Sequence, residues 1–214
     1  MPLRKFSRSS RLLLLLLTAS AMLAQDPPVV PNDPLFQDQW HLPRIAAPEA
    51  WAITTGSRQV VVAVIDTGID LGHEDLRDNL WQNLGEDANG DGLLDARDQD
   101  GIDSDGNGFV DDFHGWYFVD HDNDPSVPPA LQRASYANHG TKMAGAIGAC
   151  GNNGVGISGV CWKVSLLCLR TIPEDVANRL HYDTEKTIGP ALRYAVAMNA
   201  QIVNCSWGKA QATA

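Results

Sequence analysis

Val60-Val61-Val62-Ala63-Val64-Ile65-Asp66-Thr67-Gly68-Ile69-Asp70 is an unbroken β-branched and apolar run that stops at a carboxylate. The run is short and Gly68 follows it, which predicts a central strand of a parallel sheet, buried on both faces. In open α/β sheets the chemistry sits beyond the carboxyl ends of the strands. Asp66 stands at that end, either as a working carboxylate or as a turn cap, which Asp side chains often provide.

Outward from this strand the chain reads as alternating elements. Residues 138–149, Asn-His-Gly-Thr-Lys-Met-Ala-Gly-Ala-Ile-Gly-Ala, predict a helix whose small residues allow close packing, with His139 in its first turn. Residues 164–169 predict a strand, residues 188–200 carry helical spacing, and residues 201–208 read as a strand and turn. The aromatic stretch 113–119 is a further candidate strand. The order β, helix, β, helix, β implies right-handed crossovers in a parallel sheet. On the amino-terminal side, Gln39-Trp40-His41-Leu42 precedes Ile45-Ala46-Ala47-Pro48-Glu49-Ala50-Trp51, where Pro48 suits the first turn of a short helix. The glycine-rich residues 151–160 lack the Gly-Lys-Ser/Thr of a phosphate loop.

The 214 residues can hold one ordinary domain plus a leader, and 44% hydrophobic residues suffice for a core. A net charge of −10 argues against nucleic acid and against an anionic membrane surface as partners. Arg4, Lys5, Arg8 and Arg11 precede a leucine run and small residues ending near Ala24, the pattern of a secretory signal peptide over residues 1–24. The apolar run is about 13 residues, short of the roughly 20 that span a bilayer. No membrane association is expected once the signal is removed, so a secreted or extracytoplasmic location follows. Residues 25–38 form a proline-rich lead-in, and residues 39–214 the domain.

About half of the 26 acidic residues lie between Glu86 and Asp124, an insertion whose only Lys or Arg is Arg97. Asp87, Asn89, Asp91, Asp95 and Asp98 occupy positions one, three, five, nine and twelve of a loop with Gly92 at position six. This is the oxygen spacing of a calcium loop, in which hard carboxylates wrap a hard cation and glycine permits the sharp turn. Asp98 stands where the EF-hand pattern has a bidentate Glu. A second run, Asp103, Asp105, Asn107 and Asp111, repeats positions one to nine, with His114 at twelve. The plainer alternative is a flexible acidic loop. Without a cation, the clustered carboxylates repel one another.

With Val64-Ile65-Asp66-Thr67-Gly68, His139-Gly140-Thr141 and Val203-Asn204-Cys205-Ser206-Trp207-Gly208 in this order, the chain resembles the subtilisin-like serine proteases over roughly residues 39–208. The resemblance implies a three-layer parallel sheet with helices on both faces, here ending before the last strands. It implies peptide-bond hydrolysis of polypeptide substrates by a monomeric endopeptidase using an Asp-His-Ser triad. His139 would be the general base and Asp66 its orienting carboxylate. The nucleophile comes last in this order, and no Gly-Thr-Ser-x-Ala-like segment follows His139, so these residues alone are expected not to turn over. Ser158 and Ser206 are rejected as substitutes. The resemblance places Ser206, Trp207 and Gly208 along the substrate cleft, offering backbone to an extended peptide. It also implies a second kind of calcium site, with Gln39, Asp75 and Asn153 as side-chain ligands and Gly151, Val155 and Ile157 as carbonyl donors. Lys142 departs from the family, where many members have a second His.

Export permits disulfides. Cys150 and Cys161 flank one loop and are a candidate pair, with free thiols the equal alternative, while Cys168 and Cys205 are expected as buried thiols. Asn204-Cys205-Ser206 fits a glycosylation pattern but falls in an expected strand. Two other readings stay open: a non-catalytic secreted module that binds calcium or peptide, and a gene remnant.

Overall fold

The computed structural model describes residues 26–132, 136–173, 184–206 and 208. The signal-peptide residues and Trp207 lie outside the described residues. The apolar run around Val62 forms the carboxyl-terminal half of strand β1 (Gly56–Asp66), which begins earlier than the apolar residues do. Its first half is solvent-facing, and its residues from Val62 to Asp66 are all buried. Three more strands pair with it or with its neighbour: β2 (Gly115–Tyr117), β3 (Lys163–Arg170) and β4 (Ile202–Asn204), in the order β2-β3-β1-β4. All pairings are parallel, with Val62 opposite Leu166 on one side and Ile202 on the other.

Burial on both faces follows from the period of two along each strand. Val62 and Val64 join Val164, Leu166 and Cys168 on one face, beneath Ala144 of helix α3 (His139–Gly148). Ala63 and Ile65 join Leu167 and Leu169 on the other, beneath Ala191, Tyr194 and Ala195 of helix α4 (Thr184–Ala197). The result is the expected three-layer α/β arrangement. The small residues of α3 do what the sequence implies: a Cβ on Gly148 would come within 2.4 Å of Val164 Cγ1. Two short helices, α1 (His41–Arg44) and α2 (Ala47–Trp51), build a separate apolar cluster from Leu42, Ala47, Trp51 and Trp162. Val29 and Phe36 of the lead-in pack on it, and Leu35 N–H donates to the Gly156 carbonyl at 3.0 Å.

Two boundaries differ from the sequence reading for local reasons. The aromatic stretch contributes only Gly115–Tyr117, because Tyr117 and Asp122 exchange backbone hydrogen bonds and fold the chain back. Helix α4 stops at Ala197 rather than Ala200. Asn199 adopts φ 56°, and Ala200 N–H reaches the Ala195 carbonyl while Asn199 N–H reaches that of Val196. This is a left-handed cap with Asn in the glycine position.

All four cysteines are free thiols, so the candidate Cys150–Cys161 bridge is absent. Cys168 is buried as expected, but Cys205 is exposed. Strand β4 lies at the sheet edge, where Ile202 and Val203 are open as well. Burial pushes the Cys168 thiol up to about 12, and the thiolate is the reactive form. A mild thiol reagent should therefore modify Cys205 first and Cys168 only on unfolding. Peptide mapping of the labelled chain checks this; equal labelling of Cys168 in the native state would contradict it.

Candidate active site and cation loops

Strand β1 delivers Asp66 to the carboxyl edge of the sheet with only 1% of its surface exposed. Its carboxylate accepts a hydrogen bond from Thr67 N–H at 2.7 Å, which fixes one oxygen. His139 opens helix α3 on the same face. Its Nδ1 lies 2.8 Å from Asp66 Oδ1 and 2.9 Å from Oδ2. An ionised carboxylate can only accept, so in the neutral imidazole Nδ1 carries the proton and the lone pair of Nε2 is left to take another. The imidazole is partly open, with 40% of its side chain exposed.

The two elements are clamped around this pair. Thr67 Oγ1 donates to the Ala137 carbonyl at 2.8 Å and accepts from Gly140 N–H at 3.0 Å. Thr141 Oγ1 accepts from Asp70 N–H at 2.9 Å. Gly140 sits so close to the β1 turn that a Cβ would lie 2.3 Å from the Gly68 carbonyl oxygen. The strand end and the helix start are therefore one rigid unit. Chemically, the unit is an oriented imidazole base with a buried carboxylate behind it.

Ser206 lies beyond β4, which pairs with β1 up to Val64 opposite Asn204. Its hydroxyl is held by the Asn204 side chain, with Nδ2 at 3.0 Å. Ser206 is half-buried and, two residues past Asn204 in a parallel pair, lies toward the same end of the sheet as Asp66, and Gly208 is exposed. Trp207, the third residue of this group, lies outside the described residues.

The acidic insertion separates into two halves. In the first, Asp87 caps the backbone N–H groups of Gly90, Asp91 and Gly92, and buried Asp98 accepts from Asn89 and Asp95 N–H. Arg97 takes the charge of the others: its guanidinium sits 2.7 Å from Asp91 and 2.6 Å from Asp95. That contact holds Asp95 down to about 2. In the second half, carboxylate oxygens of Glu86, Asp103 and Asp105 converge within 4.8 Å of one another. Glu86 is fully buried, and its three backbone donors, Ser104, Asp105 and Asp111, stand at a long 3.2–3.4 Å. Desolvation raises its pKa. Asp111 is 6% exposed: its Oδ2 accepts from Gly101 N–H, while its buried Oδ1 has no partner among the described residues. Asn107 hydrogen-bonds Asp105, and His114 turns away to the Trp81 carbonyl. The three converging carboxylates are the hard oxygen donors a divalent cation takes, and the buried, unpartnered Asp111 Oδ1 belongs to the same loop.

In the glycine-rich loop, Asp75 is 1% exposed and accepts from Asn153 Nδ2 at 2.9 Å and Ile157 N–H at 3.0 Å. Gln39 is spent differently: its amide pairs both ways with the Ser158 backbone at 2.8 Å. The carboxylate that enters this loop from the lead-in is Asp33, buried, accepting from Asn152, Asn153 and Gly154 N–H and from the Ser158 hydroxyl. Desolvation raises the Asp75 pKa, and the like charge of Asp33 adds to it. Sequence reasoning missed Asp33 and Glu86, because each reaches its site from outside the motif that marks it.

A parallel α/β sheet whose central strand ends in a buried Asp locked to a helix-opening His is the framework of one class of serine peptidases. A family model described as the subtilase family matches residues 57–214, and the chain belongs to that family. The chain is 32% identical over 178 residues to Subtilisin-like protease 1 of Plasmodium berghei (strain Anka), spanning 82% of this chain and 26% of that protein. It is 30% identical over 179 residues to the halolysin-like extracellular serine protease Nep of Natrialba magadii, 84% and 26% of the respective lengths. With thermitase of Thermoactinomyces vulgaris the identity is 27%, over 83% of this chain and 48% of the relative. The chain thus spans about a quarter to a half of these relatives. The fold is shared with the Aeromonas sobria serine protease crystallised with its chaperone ORF2: TM-score 0.55, 20% identity, 85% of this chain and 26% of that one. No helix among the described residues is long and apolar enough to cross a membrane.

Proposed function

We propose that the protein is an exported, calcium-stabilised serine endopeptidase in which Asp66 and His139 are two members of the triad. The Asp66–His139 pair carries this reading: a buried carboxylate accepts from Nδ1 and leaves Nε2 free. A serine hydroxyl is a weak nucleophile at neutral pH and needs such a base. The nucleophilic serine is not among the residues assigned here. His139 Nε2 takes the serine proton as the hydroxyl attacks the peptide carbonyl, then returns it to the leaving amine. Asp66 holds the tautomer and stabilises the imidazolium. Ser206, Trp207 and Gly208 offer backbone to an extended polypeptide. Export rests on residues 1–24 and on the extracellular relative from Natrialba magadii. A fluorophosphonate probe on the complete protein tests the assignment: one serine is labelled, and His139→Ala abolishes the labelling.

Calcium is assigned to two regions. Glu86, Asp103 and Asp105 would hold one ion, with Asn107 and Asp111 of the same loop as further oxygen donors; Asp87, Asn89, Asp91, Asp95 and Asp98 form a separate loop of the insertion, in which Arg97 already engages Asp91 and Asp95. Asp75, Asn153 and the carbonyls of Gly151, Val155 and Ile157, with Asp33 in the place expected of Gln39, would hold the other. A bound cation neutralises buried like charges. Calcium at a hundredfold excess over its Kd should stabilise the chain by about 2.7 kcal/mol, roughly 5–10 °C in Tm for a domain of this size. Chelation should reverse the gain, and Asp75→Asn should remove part of it. A melting curve indifferent to both calcium and chelator would remove calcium from this reading.

A further inference from the structure

The second half of the acidic insertion is wired to helix α4, on the face of the sheet where Phe109 of the insertion also packs. Asp105, one of the three converging carboxylates, accepts from Asn83 Nδ2 at 3.0 Å and Asn107 Nδ2 at 3.1 Å. The same two amide nitrogens also donate to Asp112, at 2.6 and 3.0 Å. Asp112 is fully buried, and its third donor is the hydroxyl of Tyr194, at 2.5 Å. Tyr194 belongs to helix α4, is itself 2% exposed, and packs edge-on against Phe109 of the insertion with ring centroids 4.7 Å apart. A continuous chain of hydrogen bonds therefore runs from the carboxylate cluster to a helix that covers Ile65 and Leu169.

We propose that Asp112 and Tyr194 are positioning residues for a divalent cation held by Glu86, Asp103 and Asp105, and that occupancy of this cluster is coupled to helix α4. The proposal rests on the calcium reading given above. A cation on Asp105 competes with the Asn83 and Asn107 amides for the same carboxylate. Once released by Asp105, both amides keep Asp112 as their acceptor, and Asp112 is held by the Tyr194 hydroxyl. Tyr194 thus fixes the side chains that frame the cluster, the part that outer hydrogen-bond partners play at metal sites. Coupling of this kind is reciprocal: if the cation alters the Tyr194 hydrogen bond, loss of that bond alters cation affinity by the same factor. Two facts set this cluster apart from an ordinary acidic surface. Glu86 and Asp111 are buried, and Asp111 Oδ1 lacks a partner among the described residues.

The test uses the whole chain with 13Cζ-labelled tyrosine and calcium chloride as the probe. Calcium should move the Tyr194 Cζ resonance. Tyr194→Phe, which keeps the ring and its packing, should weaken calcium binding by calorimetry about tenfold. Asp105→Asn removes the charge without any metal and should move the same resonance in chelator. A Tyr194 resonance unmoved by Asp105→Asn, or a Kd unchanged in Tyr194→Phe, overturns the coupling. Absence of calcium heat, with the resonance still responding to Asp105→Asn, overturns the cation reading on which the proposal rests and leaves the hydrogen-bond relay in evidence.

Discussion

In a form of the protein that carries the nucleophilic serine, His139→Ala should lower kcat by roughly 10⁴- to 10⁶-fold and leave KM within a few-fold. The base acts only on the reacting hydroxyl, so removing it leaves ground-state binding of the polypeptide largely intact. What survives is the part of catalysis that comes from binding and from stabilising the oxyanion. Asp66→Asn should cost about 10⁴-fold by a different route. The amide can donate to Nδ1, which turns the imidazole to the wrong tautomer while the geometry persists. Because Asp66 is 1% exposed and receives Thr67 N–H, water cannot substitute for it. Steady-state kinetics on a peptide substrate, with the single and double variants compared, decides the matter. The two residues act as a unit, so the double variant should lose little more than His139→Ala alone. A variant within tenfold of the parent would remove both residues from the mechanism.

Gly140→Ala should be the most damaging conservative change near the site. The added methyl would lie 2.3 Å from the Gly68 carbonyl oxygen and 3.1 Å from Asp66 Cβ. Neither neighbour is the tip of a flexible side chain, so strand end and helix start must separate. Overpacking of this kind costs about 3 kcal/mol. It also moves His139, which directly precedes Gly140, relative to Asp66. A displacement near 1 Å at a catalytic group costs about 10²-fold in rate. Denaturant unfolding of the chain reads the first effect and peptide hydrolysis by the complete protein the second. A parental midpoint would show that the turn at Gly68 yields more easily than its clamps suggest.

The parts of the fold that were legible in sequence are those where burial imposes a pattern. Val62 to Asp66 are buried on both faces, so the strand reads as an unbroken apolar run with its carboxylate at the working end. Helix α3 is legible because a helix pressed onto a sheet must use small residues, as Gly148 does against Val164. The Asp66–His139 pair was legible because each residue punctuates such an element. Strand β2 was overextended because aromatic content marks burial and not the turn at Asp122 that ends it. The cation regions were legible only as spacing. Loop ligands that follow one another in sequence leave a motif, but Glu86 and Asp33 come from elsewhere. Tyr194 meets Asp112 across 82 residues, with no local signature of the contact.

The place of β1 in the sheet bears on how the chain is made. Its neighbours on both sides, β3 and β4, come later in sequence, with Leu166 and Ile202 opposite Val62. At the roughly 5–20 residues per second of synthesis, this strand leaves the ribosome on the order of ten seconds before its first partner. During that interval both of its hydrogen-bonding edges are unpaired, and of its two faces only the one that helix α3 covers can find its partner before β3 is made. The acidic insertion is synthesised within the same interval, and its high charge keeps the waiting segment soluble.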